Sequence, residues 1–266
     1  MKKPLPPPLS EQIIWLTGAS SGIGAALLHG LSKRCQWLII SARNSDRLQQ
    51  LAEPHPNVVA LSADVTSRDA MQAVAADIAA RFGRIDTLIA NAGSCEYLDV
   101  RQFDSALVKR VIDTNVYGLV NSLEAALPLI RNSQRGYLVA VSSSVTYLAL
   151  PQAQAYGASK AAVRYFMEAM RADLASEHID VSVVSPGFVK TPLTDRNRFR
   201  MPMRISANVA AEAIIKGLQR RPWEIHFPRR FTWLLQLLGC LPADLRLALT
   251  RRAATRLPTS PQKQPD

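Results

Sequence analysis

Ser143, Tyr156 and Lys160 lie in one stretch, SSVTYLALPQAQAYGASK, with Tyr156 thirteen residues after Ser143 and four before Lys160. Residues four apart on a helix share a face, so a helix through Tyr156 and Lys160 aims a phenol and an ammonium at one point. A free tyrosine, with a pKa of about 10, is a poor acid or base at neutral pH. A nearby positive charge favours the phenolate and brings the group towards the range of efficient proton transfer. Ser143 can give the same substrate oxygen a second hydrogen bond. This chemistry suits a carbonyl and alcohol pair, in which a proton moves at oxygen and a hydride at carbon. The hydride needs a cofactor, because no side chain carries one. Y-x-x-x-K alone also fits an exposed helix face, so the reading requires a cofactor site elsewhere in the chain.

The element that positions such a cofactor stands near the N-terminus. IIWLT (Ile13–Thr17) is a short apolar run, followed by Gly18, Gly22 and Gly24 and then by the helical pattern AALLHGLSKR. Strand, glycine-rich turn and helix together let backbone approach a pyrophosphate at a helix N-terminus. The spacing is G-x-x-x-G-x-G, and a purely structural turn is the other reading.

TGASSGIG (Thr17–Gly24) and YGASK (Tyr156–Lys160), in this order, resemble the short-chain dehydrogenase/reductase family over about Ile13 to Phe227. The resemblance implies a Rossmann-type doubly wound α/β fold with a parallel sheet of about seven strands. It implies catalytic roles for Asn115, Ser143, Tyr156 and Lys160, with Ser143 chosen over Ser142 and Ser144 by its offset from Tyr156. Around the cofactor it implies Gly18, Ser20, Ser21, Gly22, Ile23 and Gly24. Asp64 matches the aspartate that meets the adenine amino group, with Val65 beside the ring; capping of the next helix is the alternative. Asn91, Ala92 and Gly93 resemble the family's N-N-A-G with Ala90 in place of the first Asn, and Asn91 can bridge strands through its amide. Asn115, in TNVYG, matches the residue that holds a relay water between the lysine and bulk solvent. Pro186, Gly187, Val189 and Thr191, in PGFVKT, match the contacts to the nicotinamide, while Tyr156 and Lys160 also touch the cofactor.

Cofactor choice turns on the end of the second strand, QWLIIS (Gln36–Ser41). An acid there binds the ribose hydroxyls of NAD, and a basic residue accommodates a 2′-phosphate. Ala42 stands where the acid is expected and Arg43 follows. A guanidinium suits phosphate, so NADP(H) is expected over NAD(H). Arg43 stacking on adenine or pointing to solvent is the alternative, and Ser21 adds no second positive charge.

The remaining expected strands are Val58–Thr66 with its exit, Asp86–Gly93 with its turn, Gly136–Ser144, Ile179–Gly187 and Trp223–Phe227. Pro192 to Ile205 lies where the family keeps a mobile substrate loop, and Arg196, Arg198 and Arg200 within it suit an anionic ligand or solvent equally.

The 266 residues are 48% hydrophobic with a mean hydropathy of +0.00, a globular and not a disordered composition. Cys35, Cys95 and Cys240 are odd in number and lack metal spacing, and the four histidines are scattered; no metal site and a reducing compartment are expected. MKKPLPPPLSEQ has no apolar stretch after its lysines, so no secretory signal is expected. Residues 1–11 read as a flexible Pro-rich arm, 12–228 as the Rossmann-type catalytic domain, and 229–266 as a basic, partly apolar C-terminal tail.

Charge is concentrated near the end. Lys190 to Asp266 hold 15 basic and 5 acidic residues, against 17 and 16 in the rest. FTWLLQLLGCL (Phe231–Leu241) is too short to span a bilayer. Flanked by arginines, 229–256 suits a peripheral contact with an anionic membrane, a cap on the pocket, or a subunit contact. No nucleic-acid motif accompanies the charge. A cytoplasmic protein is expected, at the inner face of a membrane if the tail binds one, and a homo-oligomer (dimer or tetramer) is implied by the resemblance. The expected function is hydride transfer between NADP(H) and a small-molecule carbonyl or secondary alcohol, hydrophobic or lipid-like. The competing reading is a non-catalytic NADP(H) sensor or membrane-surface scaffold.

Overall fold

A strand covered on both faces must be apolar along its whole length, and IIWLT is. In the computed structural model, which describes residues 5–195 and 201–254, all five of its residues are buried. This strand is β1 (Ile13–Thr17), followed by α1 (Gly22–Leu31), β2 (Trp37–Ser41), α2 (Ser45–Ala52), β3 (Val58–Ala60), α3 (Arg68–Phe82) and β4 (Thr87–Ala90). The second half runs α4 (Ser105–Ile112), a π-helical turn (Asp113–Tyr117), α5 (Gly118–Arg131), β5 (Tyr137–Val141), α6 (Gln154–Asp173) and β6 (Asp180–Pro186). It closes with β7 (Val189–Lys190), α7 (Pro192–Asp195), β8 (Ile205–Ser206), α8 (Ala207–Arg220), β9 (Glu224–Phe227), α9 (Arg229–Gly239) and α10 (Ala243–Ala254).

Seven strands form one parallel sheet in the order β3-β2-β1-β4-β5-β6-β9. Alternate side chains divide into two cores, as strand geometry requires. Ile14 and Leu16 join the residues of α1, α2 and α8 on one face. Ile13 and Trp15 join those of α3, α5 and α6 on the other. The seven-stranded doubly wound sheet is the one the sequence predicts. Strand order reverses between β1 and β4, which opens a crevice at the carboxyl ends of the strands.

Four parts differ from expectation or lie outside the described residues. The small parallel pair of β7 and β8 was not anticipated; it ties Val189 to Ile205 at the base of the expected substrate loop. Arg196, Arg198 and Arg200 fall outside the described residues. The N-terminal arm is anchored at its inner end, because Leu9 is buried and Gln12 Nε2 donates to the Pro7 carbonyl at 2.7 Å. The segment after β9 is not a loose tail at its start: Phe231 and Leu235 of α9 pack on Leu148. No described helix is long and apolar enough to cross a membrane.

Leu138, fully buried in β5, shows how firmly the sheet is held. Leu138→Ala should cost about 2–5 kcal/mol in urea unfolding. A cost below about 1 kcal/mol would mean that this face is loosely packed.

Candidate active site

The crevice is built from backbone first. Gly18 and Gly22 have φ of +66° and +55°, a conformation that residues with side chains rarely adopt. A Cβ on Gly18 would lie 2.6 Å from Ala92 Cα, and one on Gly24 would lie 2.1 Å from the Gly18 carbonyl oxygen. Only glycine permits these approaches. Asn91 then locks the turn, its Nδ2 donating to the carbonyls of Thr17 and Gly18 at 3.2 and 3.0 Å. Thr17 Oγ1 accepts from the amides of Asn91 and Ala92 at 3.2 and 3.3 Å. Thr17 was quoted only as part of the motif; its bridging role depends on a pairing the sequence does not display.

Helix α1 starts at Gly22, and its N-cap Ser21 makes no side-chain cap bond. The first amides of a helix lack partners within it and carry positive dipole charge, so this end suits a phosphate. It opens on a cleft of about 1300 Å³. Gly18, Ser20, Ser21, Gly22, Ile23 and Gly24 line one side. Arg43, Asp64, Val65, Asn91, Ala92 and Gly93 line the next. Ser143, Tyr156, Lys160, Pro186, Gly187, Val189 and Thr191 complete it. Length, glycine cradle and helix terminus together fit a dinucleotide.

Arg43 is exposed and makes no ion pair among the described residues. Its backbone is pinned by Ser62, whose Oγ donates to the carbonyls of Ala42 and Arg43 at 3.2 and 3.1 Å. Asp64 closes a local turn, accepting from Thr66 N and Thr66 Oγ1, both at 2.9 Å. The cap of α3 is Ser67, which accepts from Ala70 N at 3.2 Å.

At the other end, β5 delivers three serines with different fates. Ser142 is buried and donates to the Lys160 carbonyl at 2.9 Å. Ser144 is buried in a 3-10 turn. Ser143 reaches the cleft beside Tyr156, its Oγ accepting from Val145 N at 3.2 Å. Lys160 is 5% exposed, and its Nζ donates to the Val141 carbonyl at 2.8 Å. It lies 5.9 Å from the centroid of the Tyr156 ring.

Asn115 does not line the cleft. It sits 2% exposed behind the wall, in the π-helical turn. Its Oδ1 accepts from Ser94 N at 2.7 Å, and its Nδ2 donates to Ser94 O at 2.9 Å and Ser159 Oγ at 2.8 Å. Both amide donors are therefore committed. A water held by this side chain has only the second lone pair of Oδ1 available. Such π turns often mark functional sites.

The electrostatics of the cleft correct one expectation. Lys160 was expected to draw the Tyr156 phenol down. Desolvation instead pushes the phenol up, the adjacent Cys95 thiol adds to the rise, and the Ser143 hydrogen bond offsets only part of it. Lys160 is itself perturbed: burial lowers its ammonium to about 8, with a small opposing contribution from Cys95. The ammonium donates to a backbone carbonyl. Cys95, pushed up to about 11 by burial, was seen in the sequence only as a scattered cysteine.

A doubly wound parallel sheet with a glycine-cradled cleft at its switch point defines a nucleotide-binding α/β protein. Residues 12–201 match the family model for short chain dehydrogenases, and the chain belongs to the short-chain dehydrogenase/reductase family of oxidoreductases. An uncharacterized oxidoreductase of Myxococcus xanthus is 34% identical over 248 residues, covering 92% of this chain and 98% of that protein. The 11-beta-hydroxysteroid dehydrogenase 1A of Arabidopsis thaliana is 34% identical over 255 residues, covering 86% and 72%. A short chain dehydrogenase from Burkholderia cenocepacia, crystallised in complex with NADP, superimposes with a TM-score of 0.78 at 28% identity, covering 92% and 98%.

Buried Lys160 gives a pH test. An unfolded lysine keeps its proton to about 10.5, whereas Lys160 in the fold loses it near about 8. Between these values the unfolded state binds more protons, so this residue makes the fold more stable as pH rises across the window. Below about 8 the burial penalty is present in full. From about pH 7 to about pH 10, wild type should gain on the order of 2 kcal/mol relative to Lys160→Met in urea unfolding. A difference that stays flat with pH would contradict the burial of this charge.

Proposed function

We propose that the protein transfers hydride between NADP(H) and a carbonyl or secondary-alcohol substrate, acting mainly as a reductase. One observation carries the proposal: Ser143, Tyr156 and Lys160 meet in the same cleft as the open N-terminus of α1. The nicotinamide cofactor supplies the hydride when bound. Gly18, Ser20, Ser21, Gly22, Ile23 and Gly24 hold its pyrophosphate. Asp64 and Val65 take the adenine, Asn91, Ala92 and Gly93 lie along the ribose, and Pro186, Gly187, Val189 and Thr191 take the nicotinamide.

Tyr156 donates a proton to the substrate oxygen. Its upward-shifted phenol stays protonated at neutral pH, the form a reduction needs. Ser143 hydrogen-bonds the same oxygen and stabilises the developing alkoxide. Lys160 binds the ribose hydroxyls and keeps positive charge near the phenol. Asn115 fixes the Ser94 backbone and Ser159 behind them, and orders the relay water through Oδ1 or its backbone.

Arg43, free of ion pairs among the described residues and braced by Ser62, supports NADP(H) over NAD(H). The NADP in the Burkholderia neighbour points the same way. The substrate is taken to belong to the hydrophobic class. The Arabidopsis relative's name, a hydroxysteroid dehydrogenase, agrees with that class. Exposed Tyr165 and Phe166 on α6 support assembly as a homo-oligomer, a dimer or tetramer.

Fluorescence titration of NADPH and NADH, on wild type and Arg43→Ala, combined with turnover on a panel of apolar ketones and aldehydes, tests the proposal. NADPH should bind more tightly than NADH, and Arg43→Ala should weaken NADPH about tenfold to a hundredfold while sparing NADH. Wild type should oxidise NADPH with at least some of the carbonyls. Preference for NADH would overturn the cofactor assignment. Tight binding without turnover on any carbonyl or alcohol would favour a sensor.

A further inference from the structure

Helix α9 has two apolar faces where an ordinary surface helix has one. Its inner face, Phe231 and Leu235 with Leu238 beside them, packs on Tyr147, Leu148, Leu150 and Phe188. Phe231 also meets Gly187 of the cleft, where an added Cβ would lie 2.8 Å from Phe231 Cδ1. The outer face should be polar. It instead carries Trp233, Leu234 and Leu237, which are 53%, 49% and 67% exposed. Residues 233, 234 and 237 lie side by side on a helix surface. Arg229 and Arg230 stand exposed at the start of that face, and the Arg229 guanidinium lies 5.2 Å from the Trp233 ring centroid.

Helix α10 follows α9 directly in the chain. Its side chains from Ala243 to Leu249 are all exposed, among them Leu245, Leu247 and Leu249. Arg246 and Arg251 are exposed beside them. Arginines on the body are commonly paired, as Arg34 is with Glu212, Arg68 with Glu124 and Arg131 with Glu177. Arg229, Arg230, Arg246 and Arg251 make no ion pair among the described residues. Exposed leucines and a tryptophan among unpaired arginines match a surface that is apolar within and anionic at its boundary.

We propose that α9 and α10 dock the protein on an anionic lipid bilayer, with Trp233, Leu234 and Leu237 entering the interface. The helices lie in the surface and do not span it, since α9 has 11 residues. The inner face of α9, through Phe231 against Gly187, then holds the end of the cleft beside the membrane. Resting on the reductase reading, this placement points to a carbonyl compound partitioned in the bilayer as substrate.

The test is vesicle flotation of the full chain, with phosphatidylcholine vesicles alone or mixed with phosphatidylglycerol. Wild type should float with the anionic vesicles at least about tenfold more than with neutral ones, and salt should reduce the difference. A triple variant, Trp233→Gln, Leu234→Gln and Leu237→Gln, should lose about tenfold or more of that binding while its NADPH affinity stays unchanged. If that variant does not fold, Arg230→Glu with Arg246→Glu should abolish the preference for anionic vesicles. Failure of wild type to float, or flotation of the variants equal to wild type, overturns the proposal. A fall in oligomer size on size exclusion with no vesicle binding by wild type also overturns it and assigns the face to a second copy of the chain. NADPH affinity is read separately, so a failed cofactor assignment and a failed docking surface give different patterns.

Discussion

The site depends on burying one ammonium. Lys160 is almost wholly shielded from water, and such a charge must find partners in the fold. Its hydrogen bond to the Val141 carbonyl ties α6 to the end of β5. A Cβ on Gly93 would lie 3.2 Å from Nζ and 3.0 Å from Asn115 Oδ1, so the turn after β4 also closes on the lysine. The π turn before α5 sets Asn115 against Ser94 and Ser159, and Ser159 Oγ donates to the Tyr156 carbonyl at 2.7 Å. Two strand ends, α6 and the π turn before α5 are thereby brought to one point. The energy that burial costs is reflected in the lowered lysine pKa. Substrate chemistry is proposed at the place where that cost is concentrated.

The sheet was largely legible because its strands are apolar and its turns rich in glycine. Ile13–Thr17 has the same bounds in sequence and structure, and Trp223–Phe227 differs by one residue at its start. The two-residue ladders at Val189 and Ile205 were not legible, because strands that short carry no period. The π turn was not legible either. VKRVIDTNVYGLVNSL reads as one helix, and the extra residue per turn at Asp113–Tyr117 leaves no mark on its spacing.

The grouping of residues around one cleft was legible, and its physics less so. Motif spacing placed the cleft-lining residues together and assigned Asn115 a relay role beside the lysine; the fold sets it behind the cleft wall. The direction of the Tyr156 shift was misread because sequence spacing shows a nearby charge but not desolvation, and here desolvation is the larger effect. The C-terminal segment was read as alternatives: cap, subunit contact or membrane contact. Helix α9 shows why they competed, since one face packs on Leu148 and Phe188 while the other stays apolar and exposed.

The central claim is that the Tyr156 hydroxyl moves the proton in a cleft that binds cofactor independently of it. The direct measurement is turnover and NADPH affinity of Tyr156→Phe, which removes one oxygen and keeps the ring. The account predicts that turnover falls by about a hundredfold to ten-thousandfold while the NADPH dissociation constant changes less than about threefold. Substantial activity in this variant, or loss of cofactor binding equal to the loss of turnover, would contradict it.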